Sequence, residues 1–171
     1  EGNDKLRHAV AGALELLPES MAIFAPNVNS FRRFAPNLYV PTAASWGYNN
    51  RSVALRVPAG SPESKRIEHR VAGADANPYL ALAAVLAGVH HGLINEATPP
   101  EPRADNASAE LDSQMPFTWQ AALDQFAQGD SLSDYLGESY SRLYKECKQT
   151  ELDAFSREFT PLEYQWYLSP E

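Results

Sequence analysis

Apolar residues recur at Leu6, Val10, Ala13, Leu14 and Leu17, which is the spacing of one helix face. They predict a helix over residues 6–17 that Pro18 stops, followed by a short helix over 19–24. From Asn27 to Pro41 the periodicity is lost. Prolines at 26, 36 and 41, with asparagines around them, predict a loop there. Alternation then takes over. Val53, Leu55 and Val57 share one face and Ser52, Ala54 and Arg56 the other, so residues 52–57 read as a strand. Residues 43–48 read as the strand before it. Asn49-Asn50 suits a tight turn, which makes the pair an expected antiparallel hairpin. Arg66 to Val71 reads as a third strand, after a loop marked by Gly60, Ser61 and Pro62.

The C-terminal part reads as helical. Asn77-Pro78 combines an N-cap with proline at the first helical position and opens a helix to Ile94. That helix is apolar nearly all round and is expected to be buried. Residues 96–111 form a Pro-, Ala- and Asp-rich loop. Helices follow over 119–127, 132–136 and 138–159. Thr160-Pro161-Leu162-Glu163 is a capping box that opens a last helix carrying Trp166 and Tyr167. The fold class is α+β: a few antiparallel strands, then a mostly helical section, in one domain. Trp119, Trp166 and the C-terminal aromatics are expected to pack.

Composition narrows the function classes. With 171 residues, 44% apolar and 21% charged, the chain can bury a sizeable core. A net charge of −8 argues against a nucleic-acid surface. Cys147 is the only cysteine, so there is no internal disulfide and no cysteine zinc site. This fits a reducing, cytoplasmic setting, and the thiol is expected to be packed. The apolar run from Tyr79 to Val89 is too short to cross a bilayer, which takes ~20 residues. His90 and His91 are adjacent on a helix and point apart, so packing is favoured over a shared metal. His69 falls on the face of its strand opposite the charges and is expected to pack.

Candidate chemistry concentrates between Asn29 and Tyr79, where Arg33, Arg51, Arg56, Arg66, Glu68 and Arg70 lie. Arg66, Glu68 and Arg70 alternate with Ile67, His69 and Val71, which places the three charges on one strand face. Two readings stay open from spacing alone. One is a solvated face with weak ion pairs. The other is an arginine-rich concave face for carboxylate and phosphate oxygens, with one carboxylate suited to a divalent cation. No GxxxxGK[ST] loop is present, which argues against a P-loop ATPase.

Four segments then resemble the glutamine synthetase family. Asn29 to Pro36 is similar to its NSYKRLVP segment, and Asn50-Arg51-Ser52 with Arg56 to its NRS…R strand. Arg66-Ile67-Glu68-His69-Arg70 resembles RIExR, and Ala76 to Leu80 the ANPYL helix start. All four keep the family's order and gaps. The resemblance implies that residues 1–171 are the C-terminal portion of the catalytic domain, lacking an N-terminal domain and the first half of the catalytic domain. It implies a reaction in which ATP phosphorylates the γ-carboxylate of glutamate and an amine displaces phosphate. It also implies the roles. Glu68 would be a Mg²⁺ or Mn²⁺ ligand, and Arg33 would hold the α-carboxylate of glutamate. Arg51 and Arg70 would stand against the transferred phosphoryl group and the γ-glutamyl phosphate, with Arg70 also on the substrate side. Arg56 and Arg66, with Arg51, would contact the nucleotide. Family members form double-ring homo-oligomers with active sites between subunits.

The chain departs from ammonia-using members at one loop. Where these carry PGYEAP, it reads Pro36 to Pro41, with Tyr39 in place of the glutamate that binds ammonium. A neutral phenol cannot supply that charge near neutral pH. The wording around it, including Tyr39-Val40-Pro41-Thr42 and the run from Arg70 to Tyr79, resembles the γ-glutamylputrescine synthetase branch. That implies a polyamine such as putrescine as acceptor, with Tyr39 packing on methylenes or offering a cation–π face. An ammonia-using synthetase with an altered loop, and a non-catalytic assembly module, are the competing readings. No tyrosine lies between Tyr79 and Tyr135, so control by adenylylation of a loop tyrosine is not expected. A single metal-ligand candidate leads to the expectation that the 171-residue chain alone is inactive.

Overall fold

The computed structural model describes residues 2–168. Helix α1 (Gly2–Glu15) leads into α2 (Leu17–Phe24) through Leu16. Pro18 does not stop a helix. It lies in the first turn of α2, where a missing N–H leaves no partner unsatisfied. Hydrogen bonds cross the joint, from Leu16 N–H to Gly12 O and from Ser20 N–H to Leu16 O, both at 3.0 Å.

Helix α1 packs on α4 (Pro78–Ile94), which starts where predicted: the Asn77 side chain accepts from Tyr79 and Leu80 N–H at 3.0 and 3.3 Å. The contact is made of small residues. A Cβ on Gly88 would come within 2.8 Å of Ala13 Cα, and one on Gly12 would strike the backbone of Gly88 and Gly92. The two backbones thus approach as closely as glycine permits. This explains why α4 is not buried all round as expected. Its packed face is Ala84, Ala87, Gly88 and Gly92, and the large residues Tyr79, Leu82, Leu86 and Ile94 are left exposed on the other.

The core lies between α2, the strands and α5 (Trp119–Gln128). Phe24, Leu17, Met21, Ile23, Trp46, Leu55 and Leu123 are fully buried in it. After α6 (Asp130–Leu136), helix α7 (Glu138–Ser156) crosses α5 and is pinned where the Tyr144 hydroxyl donates to Ala22 O at 2.9 Å. Burial there pushes the Tyr144 phenol well above its ordinary value. Helix α8 (Pro161–Tyr167) has the predicted capping box of Thr160 and Glu163, yet buries nothing. Trp119 packs as expected, whereas Trp166 and Tyr167 are 66% and 76% exposed. Cys147 is exposed rather than packed. In both cases the side chain lies on a solvent-facing surface: α8 buries no residue, and Cys147 stands on the exposed side of α7, whose other side meets α5 through Gln149 and Gln120. Among the described residues no helix is long and apolar enough to cross a membrane.

The α+β class stands, with a three-stranded sheet in the order β1 (Trp46–Tyr48), β2 (Leu55–Val57), β3 (Glu68–His69). The expected hairpin does not form. β1 and β2 are parallel, with Trp46 opposite Leu55 and Tyr48 opposite Val57; only β2 and β3 are antiparallel. The asparagines hold a wide return loop instead of closing a tight turn. Asn49, at φ 52°, accepts from Ala59 N–H at 2.7 Å through its side chain. Asn50 accepts from Ser52 N–H and Oγ at 2.9 and 2.7 Å and donates to Arg103 O and Asp105 O. The outer edge of β1 is covered by the same distant segment, through Arg103 N–H to Trp46 O at 2.8 Å. Trp46 Nε1 also donates to Pro100 O at 2.7 Å. A paired edge of this kind removes a template for association.

Candidate active site

Three elements bring charged side chains together. The first is α3 (Val28–Phe31), one helical turn inside the segment expected to be a loop. A capping box makes it: Asn27 accepts from Asn29 and Ser30 N–H, and Ser30 Oγ accepts from Asn27 N–H. Arg33 follows directly. Its Nε donates to Ser30 O at 3.1 Å, its Nη2 donates to Val71 O, and its guanidinium lies 4.4 Å from the centre of the Phe34 ring. Burial presses this guanidinium below its ordinary value, and the charge of Asp75 opposes that. Arg33 therefore ties the start of the site to the exit of β3.

The second element is the β2–β3 pair. Arg56 stands opposite Glu68 in the ladder, and Arg56 Nη1 donates to Glu68 Oε2 at 2.9 Å. Arg70 Nη1 donates to Glu68 Oε1 at 2.9 Å. Each carboxylate oxygen thus takes one guanidinium. Burial alone would raise the Glu68 carboxyl, but the hydrogen bonds and charge of Arg70 and Arg56 outweigh it and hold it below the usual carboxylate range. The Nε groups of Arg56 and Arg70 are buried and find no acceptor among protein groups. Two arginines on one carboxylate leave a net positive pocket with donors to spare, which is chemistry for an anion.

The third element is the loop 36–41. Asn37 and Tyr39 both take left-handed backbone, at φ 63° and 55°. The loop is anchored from behind by Asn37 N–H to Ser108 O and by Asn106 Nδ2 to Asn37 Oδ1, both at 2.8 Å. Arg70 Nη2 donates to Tyr39 O at 3.2 Å, while the Tyr39 side chain is 69% exposed.

The remaining predicted residues lie at the rim. Arg51 is exposed at the tip of the return loop, which Asn50 and Ser52 shape; Ser52 Oγ also accepts from Ala107 N–H at 2.9 Å. Arg66 lies before β3, exposed, with Nη1 donating to Ser64 O at 3.3 Å. The third strand is shorter than the predicted 66–71, so the alternation that put Arg66 beside Glu68 fails at its first residue. His69 takes the opposite face and packs on Phe24 at 4.4 Å between ring centres, as expected. His90 meets the Tyr135 hydroxyl at 3.0 Å and His91 meets Glu15 at 3.5 Å, with no metal arrangement. Among the described residues no three His, Cys, Asp or Glu side chains gather to hold a metal. Glu68 can be one ligand of a divalent cation and does not make a whole site.

A family model described as "Glutamine synthetase, catalytic domain" matches residues 1–167. The chain belongs to the glutamine synthetase catalytic-domain family. It is 49% identical over 170 residues to γ-glutamylputrescine synthetase PuuA of Escherichia coli, covering 98% of this chain and 36% of that protein. It is 37% identical over 161 residues to γ-glutamylethanolamide synthetase GlnA4 of Streptomyces coelicolor, covering 94% and 35%. A solved structure titled "Apo GmaS without ligand" superposes with a TM-score of 0.83 at 25% identity, over 98% of this chain and 39% of that one. The chain thus spans about a third of the length of the relatives it matches.

Beyond the charged residues, the hydrogen bonds of three polar side chains shape the site. They are Asn27, Asn50 and Ser52. They build the turns that present Arg33 and Arg51. The Asn27-x-x-Ser30 spacing is a capping-box pattern and could have revealed α3. The bracing by residues 100–108 comes from distant chain and leaves no local signal.

Proposed function

We propose that the chain is the C-terminal portion of the catalytic domain of an ATP-dependent glutamate–amine ligase, and that a polyamine such as putrescine is the acceptor. The carrying observation is Glu68 held between Arg56 and Arg70, with Arg70 reaching on to Tyr39 O. The similarity to a γ-glutamylputrescine synthetase and a γ-glutamylethanolamide synthetase supports the organic acceptor. On this reading Arg33 holds the α-carboxylate of glutamate. Arg51 and Arg70 take the transferred phosphoryl group, and Arg51, Arg56 and Arg66 take the phosphates of ATP. Spreading negative charge is met by fixed cations, which is how phosphoryl transfer is catalysed. The amine nitrogen then attacks the γ-carbonyl carbon and phosphate leaves. Tyr39 lines the acceptor side. Glu68 is one ligand of Mg²⁺ or Mn²⁺, its other ligands lying outside this chain.

Further expectations follow from the same reading. The complete protein works as a double-ring homo-oligomer in a reducing, cytoplasmic setting, and residues 1–171 alone are inactive. The test is glutamate- and amine-dependent phosphate release from ATP by the complete protein, with the isolated chain as comparison. Absence of release in the first, or transfer by the second, would overturn the corresponding part.

A further inference from the structure

We infer that Asp75 is a positioning residue that sets Arg33 for the substrate carboxylate; this rests on the proposed role of Arg33. Asp75 sits between the strand carrying Glu68 and the N-cap of α4, far in sequence from Arg33. Its Oδ2 accepts from Ser30 Oγ at 2.6 Å and from Asn27 Nδ2 at 2.9 Å. Those two side chains are the halves of the capping box of α3. Asp75 thereby leaves the Asn27 oxygen free to accept from the helix and turns the Ser30 hydroxyl so that it accepts from Asn27 N–H. Ser30 in turn presents the carbonyl that receives Arg33 Nε.

The loop carrying Asp75 is itself fixed. Gly73 N–H donates to Phe24 O at 3.0 Å, and Ala76 N–H to Gly73 O at 3.2 Å. Gly73 leaves room for the carboxylate at this junction. A Cβ there would strike Asp75 Oδ1 and would come 3.5 Å from Arg33 Nη2. Asp75, Gly73 and Arg33 therefore converge on one spot. Hydrogen bonds from Ser30 and Asn27 and the Arg33 charge keep the carboxylate ionised. Its single negative charge also offsets the cost of holding Arg33 half-buried. No direct Asp75–Arg33 hydrogen bond is involved. Asp75 acts through Ser30 and through its field.

The experiment is steady-state kinetics on the complete protein carrying Asp75→Asn, with Ser30→Ala and Arg33→Ala alongside. Asp75→Asn is expected to raise KM for glutamate about tenfold, the effect of one lost charge-assisted contact. KM for ATP and kcat should stay within about threefold. A merely structural role would move all three together or lower the melting temperature alone, and would overturn the inference. If Arg33→Ala raises the glutamate KM and Asp75→Asn does not, the positioning role fails while the reading of Arg33 stands. If Arg33→Ala leaves that KM unchanged, the reading of Arg33 fails and the inference with it. Should Asp75→Asn not fold, Ser30→Ala decides. It removes the link and keeps the charge, so a selective rise in glutamate KM supports the role and an unchanged KM contradicts it.

Discussion

The guanidinium of Arg70 donates to the backbone carbonyl of Tyr39 at 3.2 Å, and so joins the strand carrying Glu68 to the loop where the acceptor amine is proposed to arrive. The same guanidinium donates to Glu68 Oε1 at 2.9 Å. A planar fork can serve both acceptors at once, and a lysine ammonium at the end of a flexible stem cannot hold them in the same geometry. In the complete protein, Arg70→Lys should lower kcat by about 10²–10³, the scale of losing one preorganised donor to developing charge. Single-turnover phosphate release measures it. A variant retaining near-full kcat would show that charge alone suffices there.

Tyr39 gives a second prediction. Its side chain is 69% exposed and free to meet a ligand, while its backbone is held at φ 55°. Tyr39→Glu would place a carboxylate in the loop and should raise kcat/KM for ammonium relative to putrescine. Tyr39→Phe keeps the ring and should preserve the putrescine preference. Product ratios in mixed-amine reactions are the readout. Unchanged ratios in Tyr39→Glu would remove this residue from acceptor choice.

The contact of α1 with α4 should be intolerant of any side chain. Gly12→Ala would drive a Cβ into the backbone of Gly88 and Gly92. Overpacking of this kind costs about 1–3 kcal/mol and more where backbone must move. Urea denaturation should show the loss as a lower midpoint with little change in slope. An unchanged midpoint would mean that the helices separate easily.

His69 makes stability depend on pH. Burial pushes its imidazole from 6.5 down to about 4. Between those values the unfolded chain binds a proton that the native chain does not, so stability rises with pH across the window. It is lost as pH falls from about 6.5 toward about 4. The ring is partly accessible, which discounts the effect to roughly 1–2 kcal/mol. His69→Phe keeps a ring packed on Phe24 and should flatten this part of the profile, as read from urea midpoints at successive pH values. An unchanged slope would assign the acid sensitivity to the carboxylates.

What the sequence made legible was local. The caps at Asn77 and Thr160 and the span of α4 fall where their residues place them, because capping is settled within one turn. That Glu68 and Arg70 share a face was legible because alternation relates residues two apart; the meeting of Glu68 with Arg56 was not, because it rests on the β2–β3 register. Three further features were not legible. Asn49 and Asn50 look like a hairpin turn, but their side chains are drawn to Ala59, Arg103 and Asp105, a choice made by tertiary contact. The glycines of α1 and α4 carry no hydrophobic signal, so the closest helix contact was invisible. The reach of Asp75 back to Ser30 depends on how two loops meet, which no spacing rule encodes.

The most direct test of the account is the identity of the amide made by the complete protein from glutamate, ATP and an equimolar mixture of putrescine and ammonium. Mass spectrometry of the products should find γ-glutamylputrescine in large excess, with stoichiometric phosphate. Glutamine as the dominant product would contradict the proposed acceptor, and the absence of any ATP-dependent amide would contradict the ligase itself.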